Sequence, residues 1–377
     1  MTRIDAPWLN SNAAQQVCGM LMDAGYQAWF VGGCVRNALL GAPVADLDLA
    51  TDAHPEEVTK LAKASGLAVI PTGIAHGTVT VIAQNTPFEI TTFRRDVATD
   101  GRRATVAFAD NMTDDARRRD FTMNALYAGP DGAVVDPLGG LPDLYARHIR
   151  FIEDADQRIK EDYLRILRYF RFHAWYGDVD AGPDPDALAA CAENIEGLQT
   201  LSSERITSEL LKLLAAPNPA PAVASMATTG GLAQIMPGAS PVILAVLVHV
   251  ELQADMMPDP LRRLAVMGGD ISGLRLSNDD KKRLQQMLSD HDVKTLGYAF
   301  GATAALDTLA VRAASLGQEI DPNLAEMAIF AATQEFPLKA ADLMPALQGP
   351  ALGKALKAAE TRWIASGFTL TKAALIE

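Results

Sequence analysis

A chain of 377 residues with 49% hydrophobic content has room for about two to four domains with ample buried cores; its three cysteines (Cys18, Cys34, Cys191) show neither C-x-x-C spacing nor an even framework, so neither disulfides nor a zinc site is indicated. The net charge of −13 argues, taken alone, against a nucleic-acid partner, because neutralising phosphates takes local positive charge. The longest apolar stretch, Val242 to Val250, is too short to span a bilayer and carries His249, and the N-terminus shows no charged-then-apolar secretion signal, so a cytoplasmic globular protein is expected.

Helices are predicted at Asn12 to Ala24 and Pro55 to Ser65. They alternate with apolar runs that read as strands: Gln27 to Val31, Ala45 to Ala50, Ala68 to Ile70, Thr78 to Ala83 and Phe88 to Phe93. The first strand ends at Gly32-Gly33, where backbone N–H groups can approach a triphosphate, and Cys34 to Leu40 reads as a helix whose N-terminus favours an anion. On the next strand Asp46 and Asp48 share one face, with Cα atoms about 7 Å apart. Two carboxylates so placed can bridge divalent metals, and in-line nucleotidyl transfer can use two metals about 4 Å apart. Hard oxygen ligands favour Mg²⁺. D-x-D alone reads as a solvated pair on an edge strand; the preceding Gly-Gly-x-x-Arg, ending at Arg36, turns the reading towards chemistry.

Thr78 to Phe93 reads as a hairpin with its turn at Gln84 to Pro87, and Glu89 stands between two apolar neighbours on the second arm. Arg94 to Arg103, R-R-D-V-A-T-D-G-R-R, is polar and Gly-containing and reads as a mobile surface loop. Arg117-Arg118-Arg119-Asp120-Phe121 precedes a helical stretch. Cations near a helix N-terminus are mildly unfavourable unless an anion is bound, a conflict that a triphosphate resolves. From Ile90 to Trp175 there are 14 cations, 13 of them arginine, against 14 acids, so the acidic excess lies elsewhere. Arginine suits phosphates and base edges because its planar fork donates two parallel hydrogen bonds; a salt-bridged surface is the alternative for any one cluster.

Beyond Pro142 the sequence turns Leu- and Ala-rich with a 3.6-residue period, broken at Gly182 to Pro185, Pro217 to Pro221, Pro237 to Pro241 and Pro258 to Pro260. The fold class is therefore α+β: a head with a small mixed β-sheet, then an all-α remainder. In Ala155 to Ala174, residues Ile159, Tyr163, Ile166, Leu167, Phe170 and Ala174 fall on one helical stripe, and Asp162, Arg165 and Arg168 lie off it. Asp162 and Arg165, three apart, can point together into a cleft. An acceptor beside a donor matches the exocyclic amine and ring acceptor shared by cytosine and adenine, a pattern that uracil and guanine reverse. In isolation the pair reads first as an exposed i,i+3 salt bridge; the upstream motifs reverse that order. His291-Asp292 lacks the further ligands of a metal-dependent phosphohydrolase and is set aside.

Taken together, G-G-x-V-R (Gly32 to Arg36), Leu39-Leu40-Gly41, D-x-D-x-x-T (Asp46 to Thr51), Phe88-Glu89-Ile90, Arg118-Arg119-Asp120-Phe121-Thr122-x-Asn124-Ala125-Leu126, Asp136-Pro137 and Glu161-Asp162-x-x-Arg165 resemble the class II tRNA nucleotidyltransferases and bacterial poly(A) polymerases, within the DNA polymerase β nucleotidyltransferase superfamily. His76-Gly77-Thr78 resembles that family's H-G-T, and Leu274 to Ser277 its body domain. One departure is Asn37, where the family usually carries Asp after the arginine of the first motif; the metal pair is left intact.

The resemblance implies a nucleotidyltransferase head (1–137), a helical neck for base recognition (138–216), a helical body (217–315) and a tail for tRNA (316–377). It implies a template-independent enzyme that adds C, C and A to the tRNA 3′ end from CTP and ATP, releasing pyrophosphate. A poly(A) polymerase or A-adding enzyme shares every motif named, whereas a non-catalytic RNA-binding relative is expected to lose a metal carboxylate. Asp46 and Asp48 would hold Mg²⁺, with Glu89 as third ligand or as base for the attacking hydroxyl. Gly32, Gly33, Arg36 and Arg119 would hold the triphosphate, Asp120 and Asn124 orient neighbours, Asp162 and Arg165 read the base, and Arg168 and Arg171 contact nucleotide or primer. Related C-only enzymes tend to lack the Arg94 to Arg103 loop, so its presence favours an enzyme able to add A. Recognition of tRNA would rest on backbone shape, since no aromatic RNA-binding motif is present.

Overall fold

The computed structural model describes residues 2–71, 73, 74, 77–100, 103–109, 111–344 and 346–376, with backbone alone at 96–100 and 103–106. The histidine of H-G-T, His76, lies outside the described residues. Two compact units divide the chain: 1–209 with 225–235, and 210–224 with 236–377.

The first unit runs α1 (Asn12–Met22), β1 (Trp29–Val31), α2 (Gly33–Leu39), β2 (Leu47–Thr51), α3 (Pro55–Ala64), β3 (Ala68–Ile70), β4 (Thr78–Ala83), β5 (Thr86–Thr92), β6 (Arg94–Asp100), β7 (Arg103–Phe108), α4 (Met112–Arg117), β8 (Tyr127–Ala128), β9 (Val134–Val135), α5 (Leu141–Tyr145), α6 (Ala155–Glu161), α7 (Leu164–Tyr176) and α8 (Pro185–Glu193). Seven strands form one mixed sheet in the order β3-β4-β5-β2-β1-β8-β9, in which β2 and β5 run parallel and the other neighbours antiparallel. Helix α1 starts at an N-cap, Ser11, whose hydroxyl accepts from the Ala14 N–H, and it buries Ala14, Val17, Cys18 and Leu21. Burial pushes the Cys18 thiol up to about 12. All three cysteines are buried free thiols.

Strand β4 alternates half-buried and buried residues, as its period-2 pattern requires. The β4–β5 turn is tighter than the sequence suggests: Gln84 (φ +49°) and Asn85 (φ +65°) make it alone, so that Thr86 already pairs with Ala83.

Three expectations are corrected. Within the stretch read as a loop, Arg94 to Arg103, Arg94–Asp100 is the first arm of an antiparallel ribbon, β6 with β7, whose register shifts between Asp96 and Ala98. The returning arm R-A-T-V-A-F has the strand propensity that the polar first arm lacks; Gly101 and Arg102 between them lie outside the described residues. The arginines 117–119 sit at the C-terminal end of α4, not before a helix: Asn111 caps its start and Arg118 closes it. Cations there are favourable without any anion; the next element is only a short 3₁₀ turn, Thr122–Asn124. Finally, Ala155 to Ala174 is not one helix. Asp162 takes extended backbone (φ −154°, ψ 103°), and its carboxylate caps the Leu164 N–H at 3.1 Å, restarting the chain as α7. Ile159, Ile166, Leu167 and Phe170 are nevertheless buried, with Tyr163 and Ala174 half-buried.

The helices continue as α9 (Ser203–Leu214), α10 (Ala220–Thr228), α11 (Gly231–Ile235), α12 (Val242–Gln253), α13 (Pro260–Met267), α14 (Asn278–Met287), α15 (Val293–Phe300), α16 (Ala302–Leu316), α17 (Pro322–Ala332), α18 (Ala340–Leu343), α19 (Gly349–Ala365) and α20 (Lys372–Ile376). The second unit is built around a buried ionic group. Glu251 accepts from Arg262 and Arg263, both at 2.9 Å, and Asp307 accepts from Arg262 and Arg283, both at 2.6 Å. Arg262 and Arg263 are thereby committed to its interior, with Arg283 half-buried at the edge of the group. Val242 to Val250 lies in α12, and among the described residues no helix is long and apolar enough to cross a membrane. Asp292 of the H-D dipeptide is the N-cap of α15, accepting from the N–H groups of Lys294 and Thr295.

Candidate active site

Strand β1 leads directly into Gly32, whose backbone (φ +72°, ψ −120°) is open to glycine and strained for any other residue. A Cβ there would stand 3.3 Å from an Arg119 Nη. Gly32 thus lets α2 begin immediately behind the arginine. Gly32→Ala is expected to cost about 1–3 kcal/mol in denaturant unfolding by straining the turn and displacing Arg119.

Asp48 lies within β2, and in the parallel pairing Glu89 of β5 is its register partner. Asp46 is exposed one residue before β2 begins, a small correction to the predicted strand. Burial, then Glu89 and Asp46, push the Asp48 carboxyl up to about 6 against the opposing charge of Arg119. That is a local deficit of positive charge in an all-oxygen donor set. Among the described residues no group of three or more His, Cys, Asp or Glu side chains is placed to hold a metal ion, so Glu89 does not complete a ligand set with Asp46 and Asp48. Magnesium suits such a place, since it is commonly held by one or two carboxylates together with substrate phosphates and water. The donor set of Asp46 and Asp48 therefore fits a hard divalent cation.

Around this pair opens a cleft of 580 Å³. Gly32, Gly33, Arg36, Asp46, Asp48, Arg119, Asp120, Asn124, Asp162, Arg165, Arg168 and Arg171 all line it; Glu89 does not. Most of the cleft's arginines are held by an acid. Arg119 donates to Asp115 at 2.9 Å, Arg165 to Glu161 at 2.7 Å, and Arg171 to Glu209 at 2.6 Å. Arg168 donates to Asp120, its Nε at 2.8 Å. Burial opposes ionisation of Asp120, but the Arg168 charge and hydrogen bonds from Asn124 and the Phe121 N–H hold its carboxyl well below the usual range. Asn124 also accepts from Arg36, so Asp120 and Asn124 do tie neighbours together.

Asp162 and Arg165 share the cleft and are joined by the Arg165 N–H donating to the Asp162 carbonyl at 2.9 Å, but their side chains form no i,i+3 salt bridge. Asp162 accepts from Arg205 at 2.7 Å, while Arg165 also donates to the carbonyls of Arg158 and Arg118. At Asn37 the side-chain oxygen accepts from Arg36 at 2.9 Å and the amide donates to the Pro43 carbonyl at 2.7 Å; an aspartate could do the first and not the second.

Several supporting residues escaped the sequence reading. Asp115 lies three and four positions before Arg118 and Arg119, a spacing that could have revealed it. Arg205, Glu209 and Tyr176 are far from their partners in sequence and leave no local signal.

Residues 28–150 match the family model described as "Poly A polymerase head domain", and 183–243 that described as "Probable RNA and SrmB- binding site of polymerase A". A CCA-adding enzyme of Limosilactobacillus fermentum is 34% identical over 376 residues, covering 91% of this chain and 90% of that protein. The human mitochondrial CCA tRNA nucleotidyltransferase 1 is 46% identical over 184 residues, 48% of this chain. That match spans 42% of the human protein, and the chain spans about half the length of several other curated relatives. The crystal structure of Bacillus stearothermophilus CCA-adding enzyme in complex with CTP superposes with a TM-score of 0.76 at 27% identity, covering 96% of this chain and 94% of that one. With the D-x-D pair, the arginine-lined cleft and near full-length similarity together, the chain belongs to the family of CCA-adding enzymes and poly(A) polymerases.

Proposed function

We propose that the protein is a template-independent nucleotidyltransferase that adds C, C and A to the tRNA 3′ end from CTP and ATP. The observation that carries this reading is the shared cleft, in which the carboxylates of Asp46 and Asp48 and the side chains of Asp162 and Arg165 line one cavity.

Asp46 and Asp48 would hold Mg²⁺, which when bound supplies Lewis acidity at the α-phosphate and lowers the pKa of the attacking hydroxyl. Glu89, the register partner of Asp48, adds negative charge beside that pair. Gly32 and Gly33 leave room for the triphosphate, and Arg36 and Arg119 balance its charge. The primer 3′ hydroxyl attacks the α-phosphate and pyrophosphate leaves. Asp162 accepts from the exocyclic amine of cytosine or adenine while Arg165 donates to the ring acceptor; Arg168 and Arg171 contact nucleotide or primer. A wrong base leaves such groups unpaired at a cost of about 1–3 kcal/mol each. We assign nucleotide chemistry to 1–137, base reading to 138–216, and RNA contact by backbone shape to the body (217–315) and tail (316–377), in a protein working in the cytoplasm.

The test is extension, with Mg²⁺, of tRNA transcripts ending before CCA, after C and after CC, with CTP, ATP or both. Three additions that then stop are expected at single-nucleotide resolution. A only after CC would instead identify an A-adding enzyme, and long A tails on general RNA a poly(A) polymerase. No extension at all would return the reading to a non-catalytic RNA-binding relative.

A further inference from the structure

Arg36 differs from Arg119, Arg165, Arg168 and Arg171 in its partners. It is 7% exposed, yet its hydrogen bonds go to neutral groups: the side-chain oxygens of Asn37 and Asn124 and the Tyr176 hydroxyl, the last at 2.9 Å. Its guanidinium carbon lies 4.1 Å from the Tyr176 ring centroid and 5.0 Å from that of Phe172. Rings and amides hold a cation in place without discharging it, so its positive charge is kept for an incoming anion.

Both rings belong to α7. Phe172 and Tyr176 are four apart and so lie on one face at its C-terminal end, while Arg165 stands in its first turn, about 16 Å away along the axis. The Phe172 ring also lies under Arg168 and Arg171, at 5.3 and 4.7 Å. One helix therefore carries a base-reading arginine at its start and the grip on Arg36 at its end. Tyr176 and Arg36 also line a second, smaller cavity of 240 Å³ that shares Asp46 and Asp48 with the main cleft.

Resting on the reading of this cleft as a nucleotide site, we propose that Tyr176 is a positioning residue that couples base selection to transfer. With a base that satisfies Asp162 and Arg165, α7 stays seated and Tyr176 keeps Arg36 over the triphosphate. A mismatched base displaces the first turn of α7, and the rod carries the displacement to Tyr176, loosening Arg36 where charge develops on the leaving group.

The test is steady-state extension by Tyr176→Ala and Tyr176→Phe with CTP, ATP, UTP and GTP, with the thermal midpoint measured in parallel. Tyr176→Ala is expected to lower kcat about 10-fold for CTP and ATP and much less for UTP and GTP, with KM nearly constant, so that discrimination shrinks. Tyr176→Phe keeps the ring and loses the hydroxyl, and is expected to show the same selective loss at about 3-fold, which decides the matter even if the alanine variant fails to fold. An equal fall for all four nucleotides in a folded variant, or a rise in KM alone, would overturn the coupling. Failure of the unsubstituted protein to transfer any nucleotide would overturn the reading of the site itself.

Discussion

Replacing Asp46 or Asp48 with alanine is expected to lower nucleotide transfer by about 10³-fold or more in a protein that remains folded, the scale of losing several kcal/mol of transition-state stabilisation. The reason the fold should survive is electrostatic. Asp48 stands in β2 between Leu47 and Leu49, which are buried and hold the strand; its own carboxyl is raised to about 6 by burial and by Glu89 and Asp46. A carboxyl raised in the folded state binds a proton there that the unfolded chain has already released. Stability from this group is therefore lost as pH climbs from the ordinary carboxylate range through about 6, and the ionised form is destabilising above that.

Removing Asp48 relieves that repulsion, so without added metal the Asp48→Asn protein should melt at or above the midpoint of the unsubstituted protein at neutral pH. With Mg²⁺ the order should reverse, because the unsubstituted protein gains stability from binding and the variant gains little. Melting curves with and without Mg²⁺, beside primer extension, separate the two effects. Full activity in either alanine variant, or an equal Mg²⁺ stabilisation of Asp48→Asn, would sink the metal assignment.

The candidate site was legible because it is compressed into the stretch from Gly32 to Asp48, whose Gly32, Gly33, Arg36, Asp46 and Asp48 the fold brings to one cleft. The fold class and the α+β division followed from the change of period near Pro142. What failed were places where backbone and side chain compete. Asp162 is in an apparently helical stretch, but its carboxylate takes the Leu164 N–H and breaks the helix, so the helical spacing brought it to the same cleft as Arg165 without revealing the break or its ion-pair partner Arg205. The polar arm β6 was unreadable as a strand because its pairing with β7, not its own composition, makes it one. Ion pairs closing over long stretches of chain, such as Arg171 with Glu209, carry no periodic trace at all.

Asp162→Ala is expected to cut kcat/KM for CTP and ATP by about 10²–10³-fold and to narrow selection against UTP and GTP by a similar factor, because a site built to hydrogen-bond one base edge loses the acceptor that made the wrong edge costly. The structure adds a way to separate base reading from simple damage. Asp162 is fixed on both oxygens, by the Leu164 N–H at 3.1 Å and by Arg205 at 2.7 Å. Arg205→Ala leaves the carboxylate present but free to turn, so it should lower selectivity by about 10-fold, less than Asp162→Ala. The double variant should be no worse than Asp162→Ala alone, since Arg205 would act only through the residue already removed. Additive losses would give Arg205 a separate contact with nucleotide or primer. Unchanged nucleotide choice in Asp162→Ala would instead take base reading away from this carboxylate and leave it as the cap that starts α7, in which case the loss should appear in the melting midpoint and not in the ratio of CTP to UTP incorporation.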